Sequence, residues 1–181
     1  MNVEVIPCPP EQKQVLKNLY VFWRYNRLKY LAAGPGSYVN AHGVIDGPDS
    51  RTHEESTLGE DGLWDRPHAI FPFLIRADEQ LVGFAVVVGK GHCTRGRDWR
   101  MNDFFLLNRY RRQGIGRAAA HILFDRFPGE WEVGQLTNDP DSQAFWQKVI
   151  GEYTGGSYAA VLIQDDPNEP PYPGQNFRSG P

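Results

Sequence analysis

Polar and apolar residues alternate over residues 2–6, with Val3 and Val5 on one side, the period-2 pattern of a short edge strand with one buried face. Pro7, Pro9 and Pro10 end it. From Glu11 the period changes. Val15, Leu16, Leu19, Tyr20, Phe22, Trp23, Tyr30 and Leu31 recur at helical spacing with Lys13, Lys17, Arg24, Arg27 and Lys29 between them. That spacing predicts one amphipathic helix, or two short ones, closing before Gly34-Pro35-Gly36. Its aromatic stripe suits a core face or the wall of a pocket. Residues 70–75 and 81–88 are strand-like runs joined by Asp78-Glu79-Gln80, which predicts a hairpin. A strand over 99–107 follows, then a helix over 115–127 stopped by Pro128-Gly129, and a strand over 130–136. Asp139 before Pro140 is a helix N-cap, with Phe145 and Trp146 inside the helix it opens, and residues 157–164 read as the last strand.

Two stretches lack any period. Residues 34–66 are rich in Gly, Pro and Ser, and carry Asp46, Asp49, Glu54, Glu55, Glu60, Asp61 and Asp65 against only Arg51 and Arg66. A loop of this length inside a compact domain is usually functional or disordered. From Asp165 the chain holds five prolines and few apolar residues, which predicts an extended, poorly ordered arm. The expected organisation is one α/β domain over 1–164, with 34–66 as an acidic irregular insertion and 165–181 as a Pro-rich tail.

The 181 residues suffice for one full hydrophobic core. A net charge of −3 gives no overall attraction to nucleic acid or an anionic membrane. No apolar run approaches the roughly eighteen residues of a membrane span, and the start MNVEVIPCPP lacks the basic and apolar parts of a signal peptide, so cytoplasmic residence is expected. Cys8 and Cys93 are too few and too far apart for a disulfide framework, and His42, His53 and Glu54 lack metal-ligand spacing, so no metal is expected.

Candidate chemistry concentrates in one place. The apolar run 104–107 meets Arg109, Arg111, Arg112 and Arg117, which are interrupted by Gly114 and Gly116, and a helix-favouring segment follows at once. Strand, glycine turn and helix start form the order a phosphate cradle needs. The first amides of a helix have no partner, its dipole is positive there, and glycine lets an anion approach closely. Arginines add forked donors for phosphate oxygens. Gly114-x-Gly116-x-x-Ala119 also fits a dinucleotide fingerprint, but only about 65 residues remain after it and arginines precede the glycines.

Arg111-Arg112-Gln113-Gly114-Ile115-Gly116 resembles the Gln/Arg-x-x-Gly-x-Gly/Ala signature of the GNAT superfamily of acyl-CoA-dependent N-acyltransferases, and residues 72–87 resemble its central hairpin. The resemblance implies a GNAT fold, with a mixed, mostly antiparallel central sheet flanked by helices. It implies acetyl-CoA as cosubstrate, held by Arg111, Arg112, Gln113, Gly114, Ile115, Gly116 and Arg117 at the diphosphate and by Phe105, Leu106 and Leu107 along the pantetheine arm. The reaction implied is direct attack of a primary amine on the thioester. An acidic residue is often kept on the cradle strand, which makes Asp103 the base candidate. Many members carry a tyrosine in the last helix, about seven residues after an Asn or Asp; here Trp146 takes that place, suited to packing on the pantetheine arm or the core. Tyr153 or Tyr158 then becomes the candidate acid for the departing thiolate, or solvent serves, since a thiolate leaves without help. In these proteins the segment corresponding to 34–66 commonly covers the acceptor, so an acidic lid there would draw in a small cationic amine. A protein lysine or N-terminus as acceptor, a non-catalytic acyl-CoA-binding module, and self-association as a homodimer are compatible with the same resemblance.

Overall fold

A computed structural model describes residues 1–31, 38–45, 50–90, 92 and 95–180. Seven strands form one sheet in the order β1-β2-β3-β4-β5-β7-β6. They are β1 (Val3–Pro7), β2 (Ile70–Ala77), β3 (Gln80–Gly89), β4 (Trp99–Leu106), β5 (Gly129–Gly134), β6 (Tyr158–Ile163) and β7 (Tyr172–Ser179). Every pairing is antiparallel except β4 with β5. A doubly wound parallel sheet, which the dinucleotide fingerprint would require, is not formed.

The helices are α1 (Lys13–Arg27), α2 (His53–Ser56), α3 (Ile115–Arg126) and α4 (Pro140–Thr154). Alternation along the strands feeds a core on each face of the sheet. Phe84, Val86, Val88 and Phe105 pack with Leu16, Leu19 and Tyr20 of α1. Ala85, Val87, Met101 and Trp131 pack with α3 and α4 through Ala119, Leu123, Phe124, Trp146 and Ile150. The central hairpin turns on Asp78 and Glu79, both left-handed at φ 45° and 67°, which is the two-residue turn that matches strand twist.

Two expectations are corrected. The segment from Asp165 is not a loose arm, because β7 lies between β5 and β6 and buries Gly174, Gln175, Phe177 and Ser179. Its apolar pattern is weak because several of its buried positions are polar and bonded. Gln175 Oε1 accepts from Gln135 Nε2 at 2.9 Å, and Ser179 Oγ accepts from Trp131 Nε1 at 3.0 Å. At Gly174 a Cβ would sit 2.2 Å from the Ile163 side chain, so the strand needs glycine there. Consequently residues 158–163 form an edge strand rather than the last one.

The described part of the acidic insertion is a strap on α1. Lys17, only 3% exposed, meets Asp61 at 3.2 Å, and Lys13 meets the same carboxylate at 3.3 Å. Arg24 reaches Glu60 at 2.6 Å and also donates to the Ser56 carbonyl. Trp64 Nε1 donates to the Cys8 carbonyl at 2.8 Å, and Thr52 with Glu55 makes a capping box at the start of α2. Asp46, Asp49, Gly34-Pro35-Gly36 and Cys93 lie outside the described residues. Cys8 is buried, which pushes its thiol up to about 11. Among the described residues no helix is long and apolar enough to cross a membrane, and no three His, Cys, Asp or Glu side chains converge as metal ligands.

Candidate active site

The site begins where two strands part. β4 and β5 pair only from Trp99↔Trp131 to Met101↔Val133 and then separate. β5 can leave β4 because its other edge is fully paired with β7, from Gly129↔Ser179 to Gly134↔Gly174. On β4, Leu107 N donates to Val82 O at 2.9 Å, so the alternation of main-chain groups turns Phe104 and Leu106 away from β3 and into the gap. The Leu106 carbonyl is taken there by Arg111 Nε at 2.8 Å. A cleft of about 900 Å³ opens along this edge.

A bulge in β4 sets which side chains face it. The register passes from Val86↔Asp103 to Val87↔Met101 and leaves Asn102 unmatched. One extra residue shifts the following side chains by one face. Asp103 therefore joins Phe105 on the α1 side instead of following Met101 into the opposite core. There Tyr20 of α1 donates to Asp103 Oδ2 at 2.9 Å and Asn102 Nδ2 donates to the same oxygen at 2.7 Å. Burial raises the Asp103 pKa above its ordinary value, while the bonds from Asn102 and Tyr20 and the charges of Arg27 and Arg100 pull the other way. The Tyr20 phenol is driven well up by burial and by Asp103, so it remains a donor.

At the far end of the cleft, the turn before α3 holds a run of free amides. Arg111 N donates to Asn108 O at 3.2 Å and Ala118 N to Gly114 O at 3.0 Å. Among the described residues, no amide between them, from Arg112 to Arg117, makes a hydrogen bond. Arg112 and Gly114 are left-handed at φ 62° and 82°, which gathers these amides into a nest at the positive end of α3. A Cβ at Gly114 would meet nothing within 4 Å, so the nest is open where an anion would lie. This is a fit for a diphosphate. The arginine side chains above it hold only surface pairs, Arg112 with Asp141 at 3.1 Å and Arg117 with Glu152 at 3.5 Å. Such pairs stabilise by about 0–1 kcal/mol and exchange readily for phosphate.

Of the residues singled out from sequence, Asp103, Phe105, Leu106, Arg111, Arg112, Gly114, Gly116, Arg117 and Trp146 line the cleft. Leu107, Gln113 and Ile115 do not. The Leu107 amide faces β3, the Gln113 amide side chain ties back to Arg109 O at 2.8 Å, and Ile115 is a core side chain that offers only its backbone to the nest. Trp146 is 5% exposed and packs edge-on to Phe104 with ring centroids 5.1 Å apart.

Tyr153 is a correction. It lies beyond the cleft, donates to Asp125 Oδ1 at 2.7 Å, and has its phenol pushed up to about 12 by burial and by Asp125. Tyr158 is likewise absent from the lining. Of the expected acidic lid, none of the described residues between 38 and 66 lines the cleft, and Asp46 and Asp49 lie outside the described residues. That wall is made by Trp23, Asn26, Arg27, Lys29 and Tyr30 of α1 and the turn after it. In the sequence Tyr20 belongs to the apolar stripe of this helix and Arg27 to the polar residues between its positions. Their spacing from Trp23, three and four residues, was the available signal that all three share a helix face.

A forked mixed sheet with an amide nest at the start of the following helix is the frame of a CoA-dependent acyltransferase. The Acetyltransferase (GNAT) family model matches residues 41–151, more than half of the chain, and the protein belongs to this family. An acetyltransferase from Thermus thermophilus superposes with a TM-score of 0.66 at 11% identity, covering 98% of this chain and 97% of that one. The PaiA N-acetyltransferase from Thermoplasma acidophilum, solved in complex with coenzyme A, gives 0.60 at 14% identity over 97% and 98% of the two chains. A GNAT-family acetyltransferase from Bacillus cereus ATCC 10987 gives 0.58 at 7% identity over the whole of both. These are likenesses of fold. No curated protein matches the sequence.

Proposed function

We propose that the protein is an N-acetyltransferase that moves the acetyl group of acetyl-CoA to a primary amine of a small molecule. One observation supports this above others. A single cleft joins the open amide nest at 112–117, the free edge of β4 at Phe104 and Leu106, and the carboxylate of Asp103. Bound acetyl-CoA supplies the thioester that the amine attacks. The nest and Arg112 and Arg117 would hold its diphosphate, and the outward main-chain groups of β4 would pair with its pantetheine amides.

An amine arrives as ammonium and must lose a proton before it can attack. Asp103 has one oxygen occupied by Tyr20 and Asn102, which leaves Oδ1 for the incoming amine. A carboxylate whose pKa is raised by burial is a stronger base than one in water. The outward amides of Phe104 and Leu106 are the donors available to a developing oxyanion. Trp146 offers no usable acid, and a thiol titrating near about 8.5 leaves as thiolate and takes its proton from solvent.

The test is release of free thiol from acetyl-CoA across a panel of primary amines. Turnover that falls at least roughly a hundredfold in Asp103→Asn is the expected result. Trp146 in the family's tyrosine position favours a second reading, an acyl-CoA-binding module without turnover. Tight acetyl-CoA binding with intact thioester on every amine would select that second reading.

A further inference from the structure

Among the described residues, Arg27 is a cation in the cleft wall that makes neither a hydrogen bond nor an ion pair. It lies one turn beyond Trp23, half-buried, with its guanidinium carbon 4.4 Å from the centroid of the indole ring. Other arginines of the cleft are engaged: Arg111 with Leu106 O and Asn26, Arg112 with Asp141, Arg117 with Glu152. The cation–π contact uses none of the guanidinium N–H groups as a hydrogen-bond donor, so its fork is available to an anion. Burial lowers its pKa, and Asp103 and Asp139 oppose that shift through space. A guanidinium stays charged regardless, so a partly desolvated one is costly until an anion completes it.

The surroundings point the same way. The described acidic residues of the 38–66 segment, which would receive a cationic acceptor, are absent from this wall, and Lys29 adds a second positive charge to it. Among the described residues, the other carboxylates of the cleft are Asp141, paired with Arg112, Glu152, paired with Arg117, and Asp139, which accepts the Ser142 amide at Oδ1. Asp103, near enough to Arg27 for each charge to act on the other, supplies the one carboxylate on the reactive strand. A positive and a negative group facing one cleft complement a zwitterion.

We propose that the acceptor is an amine bearing a carboxylate, an α-amino acid or a compound built like one, with its carboxylate on the fork of Arg27 and its amine at Asp103. This rests on the acetyltransferase reading above and narrows its acceptor. The N–C bond forms as the C–S bond breaks. Two ammonium protons are lost, the first through Asp103, and both pass to solvent, from which the departing CoA thiolate takes one; the product leaves with its carboxylate intact.

The experiment compares initial rates for the common α-amino acids with those for their carboxamides and for alkyl diamines, at saturating acetyl-CoA, with calorimetric titration of acetyl-CoA into each variant. An amino acid is expected to outpace its carboxamide. Arg27→Gln should raise KM for that amino acid roughly ten- to a hundredfold, as loss of a charge-assisted bond does, and move acetyl-CoA affinity less than about twofold. Arg27→Lys should recover part of the loss, and the carboxamide should be indifferent to either change. Preference for diamines or carboxamides, or no turnover of any carboxylate-bearing amine, overturns the inference. So does an Arg27→Gln effect that falls on acetyl-CoA affinity, because Arg27 would then serve the cofactor phosphates. Wild-type protein that fails to bind acetyl-CoA overturns the acetyltransferase reading itself, which separates the two failures.

Discussion

The Tyr20 hydroxyl donates to Asp103 Oδ2 across 2.9 Å and ties α1 to the strand that borders the cleft. The bond exists because a bulge at Asn102 turns Asp103 toward α1, where Tyr20, 3% exposed, is already fixed between Trp23 and Phe84. Burial thus positions a carboxylate by one oxygen and leaves the other for chemistry.

The pH dependence of turnover follows from that pair. Burial raises the Asp103 pKa and the Tyr20 bond lowers it. As a base, Asp103 works when deprotonated, so kcat/KM should rise with pH through a limb above the ordinary carboxylate value of about 4. Removing the bond with Tyr20→Phe should move this limb to still higher pH, and Asp103→Asn should erase it. Rate profiles of the three proteins decide the matter, and a limb that survives in Asp103→Asn would place the base elsewhere.

The turn at Gly114 makes a separate prediction. Gly114 is left-handed at φ 82°, and the space beside it is open, so Gly114→Ala meets strain but no clash. Such a residue in this conformation costs roughly 1–2 kcal/mol. The protein should still fold with a slightly lower melting temperature, while the methyl intrudes on the amide nest. CoA affinity should fall by roughly tenfold or more, the equivalent of one lost charge-assisted bond. Calorimetry with CoA showing full affinity would remove the nest from the binding site.

Elements with a strong period were legible in the sequence: the strands of the central hairpin, the helix after the glycine turn, and the N-cap at Asp139, whose Oδ1 accepts from Ser142 N at 3.0 Å. The nest was legible as well, since glycine spacing and arginines state its chemistry directly. What escaped is what tertiary contact decides. β7 has a proline and buried polar residues, so its identity as an inner strand depends on Gln135 and Trp131 waiting across the register. The bulge at Asn102 has no local signature, and it alone settles the direction of Asp103. Tyr153 has the residue type of a thiolate acid, whereas the position of α4 points its hydroxyl at Asp125. The pairing of Asp61 with Lys13 and Lys17 and of Glu60 with Arg24 escaped too, because only the fold brings α1 beneath the acidic stretch.

That strap yields a stability prediction. Lys17 is almost fully buried and meets Asp61, whose own side chain is 37% exposed. Removing one member of such a pair is destabilising mainly because the buried charge is left alone, and less so where the other side is wet. Asp61→Asn should therefore lower the denaturant midpoint, and Lys17→Met, which removes the buried charge while keeping most of the apolar stem, should lower it less. Urea unfolding of the two variants measures this. Kinetic constants for the amine should be unchanged in the folded fraction, and a raised KM for the amine would give this strap an acceptor role.

The corrected C-terminal segment supplies the last prediction. Asp165 receives two parallel bonds from Arg100, Nη1 to Oδ1 and Nη2 to Oδ2, each 2.9 Å, and is met by Arg95 and the Tyr172 hydroxyl. Arg100 donates to that hydroxyl at 2.7 Å, so the cluster fastens the start of β7 to β4. The bonds from Arg100, Tyr172 and Arg95 hold the Asp165 pKa well below the carboxylate range against the cost of burial. A carboxylate depressed in the folded state contributes stability that is present above its unfolded pKa and lost as pH falls toward the folded one. For Asp165 that window opens near pH 4, about the unfolded value, and extends downward. Wild-type protein should lose stability through this window, and Asp165→Asn should lose less of it while being weaker by roughly 1 kcal/mol at neutral pH, a figure kept small because the group is part-exposed. Truncation after residue 164 removes the strand as a whole. It takes away the antiparallel partner of β5 and the Phe177 ring stacked on Trp131 at 6.2 Å, so the shortened chain should fail to fold cooperatively. A truncated protein that keeps a sharp thermal transition and binds CoA would return residues 165–181 to the status of a dispensable tail.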